Sequence, residues 1–333
     1  MKVLDISGKK ILFFSPAFFN YECVIADKMR EMGAIVDMYD SRCITSAVNR
    51  SLLKVFPNIF NNKSREYYDN ILNKNKGKNY DYILIIKCDM TPISTLKQLR
   101  IEFPNAKLCL YLYDSIDNIP GIKDKFEFFD ILHSFDLNDC KKYKFLNFRP
   151  LFFADQFRMS SKSRKKFKYD ICFLGTIHSD RYAVIQQIQK IANVHSLRCY
   201  WFLYLQSKFI YWFYKVSKKE FRKAKMNDFS FDKKSLSEIS EIESESRVIL
   251  DIQHPKQTGL TMRTIEMVGM NKKLITTNES IKYYDFYDPN NIAIIDRNNI
   301  SLDINFLKSP YKPLQKSVLE KYSLRTWILD ILN

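Results

Sequence analysis

The 333-residue chain carries 53 Lys and Arg against 37 Asp and Glu, a formal charge of +16, with 46% hydrophobic and 15% aromatic residues. That balance excludes a wholly disordered, fibrous or low-complexity protein, and at ~100–200 residues per domain the length predicts about two domains. The charge predicts an anionic partner (nucleic acid, nucleotide, phosphorylated substrate or acidic membrane surface) without choosing among them.

Lys10–Ser15 (KILFFS) reads as a buried strand, Tyr21–Met32 as a helix stopped by Gly33, and Ala34–Tyr39 as the next strand. Two helical stretches are expected across Thr45–Asn73. Asp81–Lys87 (DYILIIK) is a continuous apolar run of the kind buried inside parallel sheets. Ser94–Phe103 reads as a helix, and Lys107–Tyr113 and Asp130–Ser134 as strands. Strands alternating with helices imply βαβ units. The apolar stretch Ile11–Phe19 is short and runs straight into an amphipathic segment, so it reads as a first strand rather than a signal peptide. No run approaches the ~18 apolar residues of a spanning helix.

Phe157–Lys168 breaks the rhythm with five positive charges between Lys162 and Lys168 and no apolar periodicity, the signature of a solvated linker. A second α/β series follows: strand Tyr169–Leu174 ending at Gly175, helix Asp180–Ala192, helix Ser235–Ser244 and strand Arg247–Ile252. Helix Thr261–Met270, strands Lys273–Thr276 and Asn291–Ile295, and a closing helix over about Leu314–Leu332 complete it. The seven cysteines (Cys23, Cys43, Cys88, Cys109, Cys140, Cys172 and Cys199) form no Cys-x-x-Cys pair, and three lie in strand-like runs. They read as buried reduced thiols in a cytosolic protein.

In open α/β sheets ligands bind beyond the carboxyl ends of strands, at helix N-termini that favour anions. Three places in the second half fit. At Phe173-Leu-Gly-Thr176, Gly175 lets backbone approach a phosphate, Thr176 offers a hydroxyl and Arg181 a guanidinium fork; an ordinary strand-to-helix turn would look the same. At Asp251–Glu266 the strand runs out through His254, a polar loop carries Lys256 and Gln257, and Gly259 and Leu260 lead into a helix with Arg263 and Glu266 on one face. Arg263 suits a diphosphate and Glu266 a pair of ribose hydroxyls, while an N-capping Thr261 with an Arg263–Glu266 ion pair is the ordinary alternative. Leu274–Asn278 ends a strand in two hydroxyls and an amide, equally a polar turn.

The order FLG-T…R over Phe173–Arg181, GLTMRTIEMVGMNKKLITTN over Gly259–Asn278, and YDPNN over Tyr287–Asn291 resembles the C-terminal domain of GT-B glycosyltransferases. It is most similar to the CgeB-like and bacterial surface-polysaccharide members. The resemblance covers about Tyr169–Asp296 and implies two Rossmann-like α/β domains facing across a cleft: residues 1–156 for the acceptor, a linker at 157–168, residues 169–312 for the nucleotide sugar, and 313–333 returning to the first domain. It implies that Gly175, Thr176 and Arg181 line the diphosphate, that Thr261 and Arg263 hold phosphate, and that Glu266 holds the ribose. His254, Gly259 and Leu260 would border the same nucleotide. Thr258 stands where many retaining members carry a further glutamate, so their mechanism is not implied. No metal or other cofactor is expected, because this fold offsets leaving-group charge with a helix dipole and basic side chains.

The catalytic base is expected from the first half, facing the acceptor. Asp114, after the strand KLCLYLY, is the first choice; Asp40, Asp89 and Glu22 are weaker, and each could simply cap a turn. His133, inside a strand, reads as a satisfied core histidine.

Tyr200–Tyr214 holds nine aromatics in fifteen residues and runs into Lys215, Lys218, Lys219, Arg222, Lys223 and Lys225. Core packing with a solvated basic tail is one reading; peripheral contact with anionic membrane, where lipid-linked acceptors reside, is the other. The expected activity is transfer of a sugar from a nucleotide-sugar donor to a glycan or lipid-linked acceptor in cell-surface polysaccharide synthesis, at the cytoplasmic face of the membrane. The alternative is a nucleic-acid-binding α/β protein using its basic-aromatic surface.

Overall fold

The computed structural model describes residues 4–43, 61–159, 166–255 and 258–333. The chain divides into two compact units, Met1–Pro150 with Leu324–Asn333, and Leu151–Ser323.

The first unit is built on a six-stranded sheet of order β2-β1-β3-β4-β5-β6. Its strands are β1 (Lys10–Ser15), β2 (Ile35–Asp40), β3 (Tyr82–Ile86), β4 (Lys107–Leu112), β5 (Ile131–Ser134) and β6 (Asn147–Phe148), all paired in parallel. Every residue of β3 is buried, as is all of β1 and β4 beyond the first lysine. Helices cover both faces of such a sheet, so its strands lose the apolar–polar alternation of a half-exposed strand. Helix α1 (Tyr21–Glu31) starts from Asn20 in the left-handed region, and Gly33, at φ 91°, turns the chain into β2. Of the two helices expected over Thr45–Asn73, α2 (Asn61–Asn75) is described; the earlier part lies outside the described residues. Helices α3 (Ile93–Glu102) and α4 (Leu137–Lys142) complete the order, and β6 was not expected.

The second unit has a five-stranded parallel sheet of order β11-β10-β9-β7-β8. Its strands are β7 (Tyr169–Thr176), β8 (Cys199–Tyr204), β9 (Ser246–Asp251), β10 (Lys273–Thr276) and β11 (Ile292–Ile294). They alternate with α5 (Arg181–Val194), α6 (Lys208–Ser217), α7 (Leu236–Ser244) and α8 (Met262–Gly269). Helix α7 opens on a capping box in which Ser235 accepts from the Glu238 N–H and Glu238 from that of Ser235. The short helices α9 (Ile304–Lys308) and α10 (Lys316–Lys321) follow.

The closing helix differs from the expectation of one element over Leu314–Leu332. It breaks at Tyr322-Ser323 into α10 and α11 (Leu324–Ile331), and α11 belongs to the first unit. Phe153 explains the break, since its N–H donates to the Tyr322 carbonyl at 2.9 Å, which ties the junction into the second unit. In the first unit α11 inserts Trp327 against Tyr111 of β4, ring centroids 4.8 Å apart, and Asp330 pairs with Arg149 at 2.8 Å.

The expected linker also differs at its ends. Phe157 is fully buried, and the stretch from Leu151 to Phe157 packs with the second unit. The N–H groups of Met159 and Lys168 donate to the carbonyls of Gly269 and Glu245. Residues 160–165, with most of the basic run, lie outside the described residues. All seven cysteines are free, and Cys88, Cys109 and Cys172 are buried as expected.

Candidate functional site

A parallel sheet whose strand order reverses leaves a crevice beyond the carboxyl ends of the two strands at the reversal. In the second unit these strands are β7 and β9. Strand β8 follows β7 up to Thr176, whereas the pairing of β7 with β9 runs through Tyr169, Ile171 and Cys172. Two arginines occupy the space beyond. Arg181, first residue of α5, donates from Nε to the Ile252 carbonyl at 2.6 Å and from a terminal nitrogen to the Thr176 carbonyl at 2.9 Å. It thus straddles the ends of both strands. Arg263, in the first turn of α8, brings its guanidinium within 5.6 Å of the Phe173 ring centroid, and Arg181 comes within 5.8 Å of the same ring.

Gly175 is explained by this packing. A Cβ there would stand 3.2 Å from both a terminal nitrogen of Arg263 and the Phe173 ring, so the missing side chain makes room for the guanidinium. Burial pulls Arg181 down to about 10; Asp251 opposes this and Arg263 adds to it, and the group stays charged at neutral pH. Each guanidinium has five N–H donors. The contacts given above engage two on Arg181, and an Nε–H at 3.2 Å from Glu243 engages one on Arg263.

Thr261 caps α8, its hydroxyl accepting from the Thr264 N–H at 3.3 Å. The ion partner of Arg263 is Glu243 of α7, where the ordinary alternative named Glu266. Glu243 is wholly buried; desolvation lifts its carboxyl to about 7, with Arg263 pulling the other way. Glu266 is buried inside the unit, on a helix that is buried from Thr264 to Gly269, and desolvation lifts it to about 8. Leu260 is also buried, and Asn278 donates from Nδ2 to the carbonyls of Thr258 and Gly259, fixing the loop that enters α8. His254 lies with its ring centroid 5.6 Å from that of His178. Burial drives His178 down to about 3, with Arg181 and His254 adding to the effect, so it is neutral at physiological pH. Lys256 and Gln257 lie outside the described residues.

Three contributors carry no sign of this role in the sequence, where Lys218 is only one cation of the basic run after Tyr214. Arg297 reaches Asp180 at 2.9 Å, the Gln253 carbonyl at 3.3 Å and the Thr277 hydroxyl at 3.2 Å, tying together the segments after β7, β9 and β10. Lys218 donates to the Ser179 carbonyl at 2.6 Å, where Ser179 stands at φ 50°. Glu243 is the third. Arg297 follows β11, whereas Lys218 and Glu243 both come from the connection between β8 and β9, and nothing in their local spacing points at β7.

In the first unit the order reverses between β1 and β3. Directly after β3, Lys87 and Cys88 both adopt left-handed φ, 71° and 57°, which L residues other than glycine seldom do in succession. The buried Lys125 holds this turn by donating to the Cys88 carbonyl at 2.8 Å. The turn projects Lys87 onto Asp114 at 3.0 Å, and Asp89 onto Arg42 at 2.6 Å. Burial alone would raise the Asp89 carboxyl, but Arg42 holds it below the ordinary value. Asp114 also accepts from the Ser115 N–H and from Asn118 Nδ2, each at 3.1 Å. Asp40 accepts from the Arg42 N–H, and burial raises its carboxyl. Glu22 is engaged in a turn, accepting from the Phe18 N–H. His133 is in the core as expected, but its Nδ1 finds no partner among the described residues, and burial lowers it to about 4.

No family model matches the sequence, and no curated protein matches it. Solved structures do match in fold. HepE of Anabaena, solved in complex with UDP-glucose, superposes with a TM-score of 0.58 at 9% identity, covering 97% of this chain and 98% of its own. The catalytic domain of starch synthase IV from Arabidopsis thaliana, bound to ADP and acarbose, gives 0.53 at 8% identity, covering 98% of this chain and 96% of its own. UDP-N-acetylglucosamine 2-epimerase from Rickettsia bellii gives 0.53 at 10%, with the same coverages. The chain therefore has the two-unit α/β fold of the GT-B architecture, as the resemblance implied.

Proposed function

We propose that the protein is a GT-B-type glycosyltransferase that binds a nucleotide sugar in its second unit and transfers the sugar to a hydroxyl acceptor. The observation that carries this reading is the pair Arg181 and Arg263 converging at the reversal of β7 and β9, beside the N-terminus of α8. Two fixed guanidiniums and a helix N-terminus offer a diphosphate charge and directed N–H donors. The likeness in fold to a protein solved with UDP-glucose supports the same ligand class.

In this reading Arg181, Arg263 and the cap at Thr261 hold the diphosphate, with Thr176 and Gly175 along its path. Basic side chains and helix dipole, rather than a metal, offset the charge that develops on the leaving diphosphate. His254, Gly259 and Leu260 border the nucleotide, and Glu266 meets the ribose. Asp114, positioned by Lys87, Ser115 and Asn118, takes the proton from the acceptor hydroxyl. A hexose donor, a glycan or lipid-linked acceptor and a place in bacterial surface-polysaccharide synthesis follow from the CgeB-like resemblance of Gly259–Asn278.

A thermal-shift panel of UDP, GDP, dTDP and CMP tests the core of this reading, since a ligand of the native state stabilises it by an amount that grows with the logarithm of its concentration over Kd. One nucleotide should stabilise the chain, and its sugar conjugates should then be screened for transfer. If none shifts the transition at millimolar concentration, the assignment is wrong.

A further inference from the structure

The aromatic run splits between two elements with different fates. Tyr200, Trp201 and Phe202 lie half-buried in β8. The rest forms α6, capped by Ser207, whose hydroxyl accepts from the Ile210 N–H. One face of α6 is anchored: Tyr211 is buried and donates to the Ala224 carbonyl, and Tyr214 packs on Phe221 with centroids 5.0 Å apart. The opposite face is bare. Phe209, Trp212, Phe213 and Val216 are exposed by 77, 56, 58 and 84%. These positions are three, four and seven residues on from Phe209, a single apolar stripe along the helix.

Exposed apolar residues are ordinary when scattered, but a continuous stripe marks a contact surface. Around it, Lys208, Lys219, Arg222, Lys223 and Lys225 are exposed, and between Ser207 and Asp228 seven Lys and Arg stand against the two acids Glu220 and Asp228. We propose that α6 and the basic segment after it form a docking surface for an anionic lipid bilayer, with the four apolar side chains entering the headgroup region and the cations meeting lipid phosphates. An aromatic stripe with a basic surround is the physical signature of an interfacial helix. No helix among the described residues is long and apolar enough to cross a membrane, so the contact is one of lying on the surface.

Charge argues against other occupants. A second copy meeting this patch across a two-fold axis would set its cations against their own equivalents. Four side chains of a ten-residue helix also fall well short of the ~20–30 residues a side of a standard protein interface. Single-stranded nucleic acid could stack on the three aromatic rings but would leave Val216, the most exposed member of the stripe, without a partner.

The test is co-sedimentation of the full chain with phosphatidylcholine vesicles and with mixed phosphatidylcholine–phosphatidylglycerol vesicles. Binding is expected to the mixed vesicles only, and to fall steeply between ~0.1 M and ~1 M salt as the screening length drops from about 10 to about 3 Å. Replacing Phe209, Trp212 and Phe213 by serine should weaken it on the order of tenfold or more with an unchanged melting temperature, since all three are exposed. Lys219→Glu with Arg222→Glu and Lys223→Glu should do the same. In the unaltered chain brominated lipid should quench tryptophan fluorescence, and Trp212→Phe should abolish the quenching. Equal binding by the serine variant and the parent overturns the proposal. So does a dimer that this variant dissolves, or oligonucleotide binding that it loses without any vesicle binding. None of these measurements involves a nucleotide sugar, so failure here is distinct from failure of the transferase reading.

Discussion

The Arg263 guanidinium stands 3.2 Å from a carboxylate oxygen of Glu243, a side chain with no exposure to solvent. The arginine assigned to an incoming diphosphate is thus already oriented by a buried acid from another helix. Removing it has two effects, loss of a phosphate contact and isolation of Glu243. Arg263→Ala is therefore expected to lower the melting temperature as well as nucleotide affinity. The double variant Arg263→Ala with Glu243→Gln should recover stability while affinity stays about 10–100-fold down, the range of one charge-assisted hydrogen bond. Thermal melts beside nucleotide titrations separate the two effects; full recovery of affinity in the double variant would remove Arg263 from the site.

Glu266 sets a pH dependence whose sign can be worked out. Burial lifts its carboxyl from 4.5 to about 8, and that of Glu243 to about 7, so the folded chain holds protons that the unfolded chain has released. Stability from these groups is present below their unfolded value and is lost as pH rises through the folded one. His133 and His178, lowered to about 4 and about 3, act in the opposite sense below 6.5. The carboxyls therefore govern the interval from 6.5 to 8, where stability should fall with rising pH by at most ~1.4 kcal/mol per pH unit for each group. Glu266→Gln should flatten that slope in melts across this range; an unchanged slope would show that Glu266 does not carry the proton taken up on folding.

Asp114→Asn should reduce kcat by roughly 100- to 10,000-fold, the span of a lost general base, with nucleotide affinity retained because Asp114 lies in the other unit. Lys87→Met should lower kcat with nucleotide affinity retained, since it removes the cation that positions that carboxylate at 3.0 Å. Full activity in the Asn variant would overturn this assignment and leave Asp89, the carboxylate that follows β3, as the candidate base.

Gly269 is more tightly enclosed than Gly175. A Cβ there would fall 2.5 Å from the Phe153 ring and 2.7 Å from the Phe157 carbonyl, and the latter is backbone and cannot rotate away. Gly269→Ala is expected to destabilise by about 1–3 kcal/mol, the range for overpacking, read as a lower midpoint in urea or heat.

Much of this was legible from the chain itself. Continuous apolar runs such as YILII and the 3.6-residue periodicity of the helices mark the α/β alternation, because burial on both sheet faces leaves a local signature. Gly175, Arg181 and Arg263 were visible for the same reason: all flank strand ends. Glu243, Arg297 and Lys87 were not, since what recruits them is strand order, a long-range property that local spacing does not encode. The break at Tyr322-Ser323 was hidden by apolar residues that continue at helical spacing while the hydrogen bond from Phe153 redirects them. Phe157 looked like linker because a basic run follows it, although its ring is core.

The placement of α11 has a consequence for how the chain acquires its shape. Trp327 seals against Tyr111, yet more than two hundred residues, including the whole second unit, are made between them. During synthesis the first unit must wait with an uncovered apolar face on β4 and α1 until Leu324–Ile331 emerges, while the second unit can close on its own. However early its strands are translated, the amino-terminal sheet cannot complete its packing before Leu324–Ile331 has been made.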